Sequence, residues 1–127
     1  MKLMSKHKEA AKSFLEMAGT GKVQEAYDRY VAPSFIHHNQ SFKGDRQSLL
    51  TAMQEASKTS PNKSIQVKRV YEDGDTVITH SLVTRQDPNA PEIAVIHIFR
   101  FEQDRVAELW DLGQPISTDS PNANGMF

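Results

Sequence analysis

Two side chains toward the C-terminal end carry groups from which acid/base chemistry is built: Asp111, between Trp110 and Leu112, and His97, which stands 14 residues earlier in an apolar run. A carboxylate in a segment that also holds Val106 and Leu109 is poorly solvated. Desolvation disfavours its charged form and lifts its pKa toward neutrality, which a general acid/base working near pH 7 requires. The structural alternative places Asp111 at the mouth of a strand, bonded to water or a backbone amide. An imidazole at position 97 can orient a substrate carbonyl or donate a hydrogen bond to a developing enolate oxygen. The other histidines are weaker candidates. His37 and His38 are adjacent on an extended piece, so only one can point inward. His80 shares a strand face with Ile78 and Leu82, a setting in which a lone histidine is more often a hydrogen-bonded core residue than a catalyst. Neighbouring histidines cannot both reach one ion, and no Asp or Glu lies at helical ligand spacing from any of them, so no metal is expected. The sequence holds no cysteine, no Gly-rich phosphate loop and no serine-centred nucleophile motif, and no cofactor is expected.

The elements that position these groups follow from hydrophobic period. Leu3, His7, Ala10, Phe14 and Met17 recur at steps of three and four, predicting a helix that stops near Gly19-Thr20-Gly21. A second short helix carries Val23, Ala26, Tyr27, Tyr30 and Val31 on one side and is ended by Pro33, which restricts the residue before it. An extended piece, Ser34 to His38, leads to a third helix capped by Asp45, with Leu49, Leu50, Met53 and Ala56 on its apolar face, ending before Ser60-Pro61. From Lys63 the period becomes two, predicting strands at Ile65–Tyr71, Val77–Arg85, Ile93–Phe101 and Val106–Leu112. Their linkers, Glu72 to Asp75, Asp87 to Pro91 and Glu102 to Arg105, are short and imply antiparallel neighbours. This is an α+β order: three N-terminal helices over one face of a curved sheet.

Register decides whether Asp111 and His97 can cooperate. A two-residue turn at Gln103-Asp104 pairs Phe101 with Val106 and sets His97 opposite Trp110, which puts His97 and Asp111 on opposite faces. A single bulge in either strand restores a common face, and bulges are frequent near active sites. We expect a shared pocket.

The stretch Ile96-His97-Ile98-Phe99-Arg100-Phe101, then Arg105-Val106, then Trp110-Asp111 resembles the SnoaL-like polyketide cyclases of the nuclear-transport-factor-2-like superfamily. Their penultimate strand carries a pocket histidine ahead of a Phe-Arg pair, and their last strand a catalytic aspartate. Phe35-Ile36-His37-His38-Asn39-Gln40 is similar to the Tyr-x-x-His-Asn-Pro element of the predicted aldol-condensation branch, as is the Pro-Asn-Ala-Asn-Gly-Met-Phe ending. Two positions depart from that branch: Leu109 stands where relatives carry histidine, and Gln40 where they carry proline. The resemblance covers roughly residues 5–127 and implies a cone-shaped fold, a mixed, mainly antiparallel sheet enclosing one pocket. It also implies that Asp111 is the acid/base and His97 the oxyanion or orienting donor. His38 is then the inward histidine, and His38, Asn39 and Trp110 form the positioning shell, with His80, Tyr30 and Phe99 as further substrate-binding lining.

At 127 residues one domain is expected throughout, with 116–127 a loosely structured tail apart from Met126-Phe127. Net charge is −1, and the lysines of the basic N-terminal half do not alternate with aromatics, so nucleic acid is not an expected partner. No apolar run reaches the roughly 20 residues a bilayer span requires, and MKLMSKHKEAAK lacks the apolar stretch of a secretion signal, so the expected location is the cytoplasm, away from membranes. Ile93 to Phe99 is apolar on both alternations, and with no chain left to cover its second face a sheet-to-sheet homodimer is expected. Together these readings describe a small cofactor-independent enzyme moving a proton next to a carbonyl, of cyclase, aldol or isomerase type, on a hydrophobic small molecule. The alternatives are a non-catalytic ligand-binding module of the same fold and a dimeric interaction domain with a filled core.

Overall fold

The structure, a computed structural model, describes residues 4–60, 63–87 and 89–127. Leu3, Pro61 and Pro88, which the sequence reading assigns to a helix stripe, a helix stop and a strand linker, lie outside the described residues. The order is α1 (Lys6–Gly19), α2 (Val23–Tyr30), β1 (Val31–His37), α3 (Arg46–Thr59), β2 (Ser64–Asp73), β3 (Thr76–Thr84), β4 (Ile93–Glu102) and β5 (Arg105–Pro115). The five strands form one sheet in the order β1-β5-β4-β3-β2, parallel between β1 and β5 and antiparallel elsewhere. This is the expected α+β cone, with the helices over the concave face and the sheet left open.

Local chemistry sets the helix limits. Ser5 Oγ accepts from Lys8 N at 3.2 Å and Asp45 Oδ2 from Ser48 N at 3.1 Å, so α1 and α3 both begin on a side-chain cap that satisfies an otherwise orphaned amide. At the far end of α1 the chain reverses through Gly21, whose φ of 89° lets Lys22 N reach back to Met17 O at 2.9 Å. The second helix ends at Tyr30, earlier than its apolar pattern suggests. Val31 and Pro33 belong instead to β1, an edge strand of the sheet beside β5, where a missing amide is tolerated.

The core lies between the helices and the concave face. Phe14, Leu15, Tyr27, Phe35, Phe99 and Phe101 are all buried, with Phe14 edge-on to Phe99 at 6.1 Å and Tyr27 edge-on to Phe35 at 6.0 Å. His7 stacks on Phe101 at 4.2 Å and joins Gln103 O at 2.7 Å, tying the first turn of α1 to the β4–β5 hairpin.

That hairpin contains the anticipated irregularity. Glu102 pairs with Arg105 and Phe101 with Val106, as a two-residue turn dictates, but Arg100 then pairs with Glu108, so Ala107 is the extra residue of a bulge. Beyond it the register reads Phe99 with Leu109, Ile98 with Trp110 and His97 with Asp111. Side chains alternate across a strand, so His97 and Asp111 share the concave face while Ile98 and Trp110 share the outer one.

Candidate active site

A cavity of about 360 Å³ lies between α1, α3 and the concave face. Phe14, Leu15, Leu49 and Met53 supply its helix side, Ile65, Val83, Ile93 and Val95 its sheet side, and Asn39 and Phe42 reach in from the segment between β1 and α3. His97, Asp111 and Asn39 face into this apolar enclosure, and Lys63 and Arg85 stand at its border.

Asp111 is half-buried and its Oδ2 accepts a hydrogen bond from Asn39 Nδ2 at 3.0 Å. Asn39 is itself fixed: its Oδ1 accepts from Ser41 N at 2.9 Å, and its own amide donates to His37 Nδ1 at 3.1 Å. His37 is 5% exposed, and its other nitrogen lies 2.7 Å from Lys43 O. Because Nδ1 accepts and a carbonyl can only accept, the ring is protonated at Nε2. One buried histidine thus shapes the loop that presents Asn39 to Asp111.

His97 has the opposite character. Its Nδ1 is buried and has no hydrogen-bond partner among the described residues, although a buried polar atom is ordinarily satisfied. Burial pushes the imidazole down to about 4, against the partial opposition of the Asp111 charge, so the ring is neutral at pH 7. Across the sheet on its other side stands Thr79, and Ser81 lies two residues further along β3. Both hydroxyls are fully buried, without a partner among the described residues. Sequence reading passed over these two because a threonine and a serine inside an apolar strand carry no distinguishing pattern.

Several sequence-predicted residues lie elsewhere. The inward histidine is His37, not His38. Ile36 and Phe35 are both apolar, so the pattern alone could not fix which alternation faces the core; Phe35 is buried and Ile36 is 46% exposed, which turns His37 inward. His38 stacks on Trp110 on the outer face, 4.7 Å apart and 4° from parallel, and its Nε2 lies 2.6 Å from Glu108 Oε2. Glu108 also receives Arg100 Nε at 2.9 Å, and these two partners, His38 foremost, hold its carboxyl below the usual carboxylate range. Trp110 and His38 are therefore separated from the cavity by the thickness of the sheet. His80 is on the outer face too, stacked on Phe127 at 4.8 Å. Tyr30 donates its hydroxyl to Ser13 Oγ at 2.9 Å at the end of α2, and Phe99 is wholly buried behind His97, with ring centroids 5.9 Å apart. Of the predicted set, His97, Asp111 and Asn39 come together on the cavity. Among the described residues no three His, Cys, Asp or Glu side chains are grouped as metal ligands, and no helix is long and apolar enough to cross a membrane.

The comparisons agree with this architecture. The family model described as the SnoaL-like domain matches residues 11–109, and the chain belongs to that family. No curated protein matches the sequence significantly. Among solved structures, a candidate polyketide cyclase from Bacillus cereus superposes with a TM-score of 0.75 at 22% identity, over 86% of this chain and 74% of that one. IdmH, a candidate polyketide cyclase from Streptomyces antibioticus, gives 0.72 at 17% identity over 84% of this chain and 90% of its own. A candidate ketosteroid isomerase from Kribbella flavida gives 0.72 at 14% identity over 92% and 84%. At these identities the likeness is one of fold.

Proposed function

We propose that the protein is a small cofactor-independent enzyme that transfers a proton next to a carbonyl, in a cyclisation, aldol or isomerisation step on a hydrophobic small molecule. The observation that carries this reading is the bulge at Ala107, which sets His97 and Asp111 opposite each other on the wall of an apolar cavity. Asn39 engages Oδ2 of Asp111, leaving Oδ1 to remove a proton from the carbon beside a bound carbonyl. The C–H electron pair then becomes part of an enolate, and the proton resides on Asp111 until it is returned to carbon or oxygen. A neutral His97 donates a ring N–H to the enolate oxygen without giving the proton up. One such donor in a water-excluding site is worth about 3 kcal/mol of barrier.

The test is Asp111→Asn, which keeps the shape and, with its amide oxygen at the Oδ2 position, still accepts from Asn39 Nδ2. Turnover on a carbonyl substrate found by screening should fall about a hundredfold or more while ligand affinity changes little. Full turnover in the variant sinks the assignment. The mostly apolar lining also suits a non-catalytic receptor for a small ligand. In that case binding is retained and no carbonyl substrate is turned over by either protein.

We also take the outer face of β4 and β5 as the contact of a homodimer. It presents Ile96, Ile98 and Trp110, with Leu112 70% exposed. The premise that no chain remains to cover this face holds only in part. The tail after β5 forms no helix or strand, yet its end returns to the sheet, where Met126 borders a groove with Ile96 and Leu112 and Phe127 rests on His80.

A further inference from the structure

The cavity has a second polar end that the proton-transfer reading does not use. Lys63 and Arg85 both border it, and both also line the adjoining hollow with Thr59, Ser60 and Asp87. The ladder between β2 and β3 pairs Ser64 with Thr84 and Ile65 with Val83, so the next residues outward, Lys63 and Arg85, continue the same register. They fall on the alternation of Ile65 and Val83, which is the cavity side. Lys63 is half-buried, whereas Arg85 is exposed.

Two like charges side by side at the rim of an apolar enclosure repel each other and call for a counter-charge. Among the described residues neither makes an ion pair within 4.0 Å, and the remaining positions of the chain include no Asp or Glu. Asp87, the acid nearest in the adjoining hollow, has its Oδ1 turned to Asn89 N at 2.9 Å. Burial, and then the neighbouring Arg85, holds the Lys63 ammonium below its ordinary value, which is the mark of a cation without its anion. The rest of the chain does not supply a basic field to account for the pair, since its net charge is −1.

We infer that the cavity takes an elongated apolar acid, whose carboxylate is held by Lys63 and Arg85 at the rim while its apolar body runs inward toward His97 and Asp111. The guanidinium offers a fork of donors and the ammonium a point charge, a combination suited to a carboxylate. Distance makes this compatible with a carboxylate at Asp111. Arg85 is six residues along β3 from Thr79, and Thr79 is two strands across from Asp111, so the two ends lie roughly 20 Å apart at the backbone, beyond the screening length at physiological salt. The inference rests on the cavity being the active site proposed above, and it specifies the substrate class: the group next to which the proton moves is remote from the acid that anchors the molecule.

Isothermal titration calorimetry of the purified full chain with decanoate, methyl decanoate and decyltrimethylammonium separates charge from apolar length. Decanoate should bind at least about tenfold more tightly than its ester, and the cation more weakly than either. Raising salt from 0.05 to about 0.5 M should shrink the acid's advantage and leave the ester unaffected. In Lys63→Met/Arg85→Met, checked for folding by circular dichroism, the acid should fall to the affinity of the ester. Equal binding of acid and ester by the native protein, tighter binding of the cation, or no binding of any of the three overturns the inference, as does an acid preference that survives in the double variant. Glu108→Gln, on the outer face, should bind decanoate as the native protein does. A protein that prefers the acid but keeps full turnover in Asp111→Asn therefore loses the proton-transfer reading alone; one that loses turnover in Asp111→Asn but shows no acid preference loses only this inference.

Discussion

The two faces of the β4–β5 hairpin hold the same kinds of side chain put to opposite use. On the outer face a histidine and a carboxylate, His38 and Glu108, meet at 2.6 Å, with Arg100 as a third partner and Trp110 stacked beneath the ring. On the concave face His97 and Asp111 are paired through the backbone register, yet His97 Nδ1 has no partner among the described residues and Asp111 is held on one oxygen by Asn39. A satisfied network holds the fold in place, whereas a buried, unsatisfied donor costs stability and gains a use only when a ligand completes it. Residue type alone does not mark a site; unfilled bonding capacity facing a cavity does.

The hairpin that carries both faces is perturbed most by deleting Ala107. Glu108 then follows Val106 directly and still falls opposite Arg100, so His97 and Asp111 stay paired on the concave face, while the bend that the extra residue gives β5 is lost. A loss of about 3 kcal/mol, with cooperative unfolding retained, is expected in urea titrations. A deletion variant that unfolds without cooperativity would show that the pairing beyond the bulge depends on this residue.

The faces should next separate by pH. His97 takes up a proton in the unfolded chain at its ordinary value of 6.5 but in the folded protein only at about 4. Between these values the unfolded state binds more protons, so stability must fall as pH drops from 6.5 to 4, by up to about 3 kcal/mol. His97→Gln should remove that slope. Glu108 acts at lower pH: its carboxyl is held below its ordinary value, so the stability it contributes is present above about 4.5 and lost as pH falls through the depressed value. Glu108→Gln should flatten that lower limb and leave the His97 slope intact. Unfolding free energies measured across the acid range in both variants check the assignment; identical profiles would erase the distinction between the faces.

The smallest expected effect concerns the tail. His80→Gln removes the stack on Phe127 and should cost about 1 kcal/mol of stability while leaving binding in the cavity unaltered. Lost binding at unchanged stability would place His80 in the functional machinery. Light scattering tests the remaining use of this outer face, and a mass of only 14.3 kDa at high micromolar concentration would remove the homodimer.

What was legible in the sequence was whatever a period or a cap encodes. Alternating apolar residues located β2 to β5, Asp45 marked the start of α3, and the 14-residue separation of His97 and Asp111 showed that a bulge was needed to unite them. Where both alternations were apolar the signal vanished. Phe35 and Ile36 left the inward histidine ambiguous, and Trp110 read as a cavity wall although its face is set by the bulge at Ala107. Tyr30 was legible as part of the buried stripe of α2, but that it and Phe99 do not line the cavity as expected was not, because depth behind a neighbour is a tertiary quantity. Thr79, Ser81 and the Lys63–Arg85 pair became visible only through what they lack, and the absence of a partner is written in no stretch of sequence.

The central claim, that the concave pair moves a proton, is tested most directly by exchange at carbon. A ketone of cavity size with acidic α-hydrogens, such as 2-tetralone, is incubated in deuterium oxide and its α-proton signals are followed by nuclear magnetic resonance. The native protein should accelerate deuterium incorporation above the buffer rate, and Asp111→Asn should lower that acceleration about a hundredfold, with Glu108→Gln on the outer face leaving it unchanged. Exchange in Asp111→Asn as fast as in the native protein, or no acceleration by the native protein at all, would contradict the account.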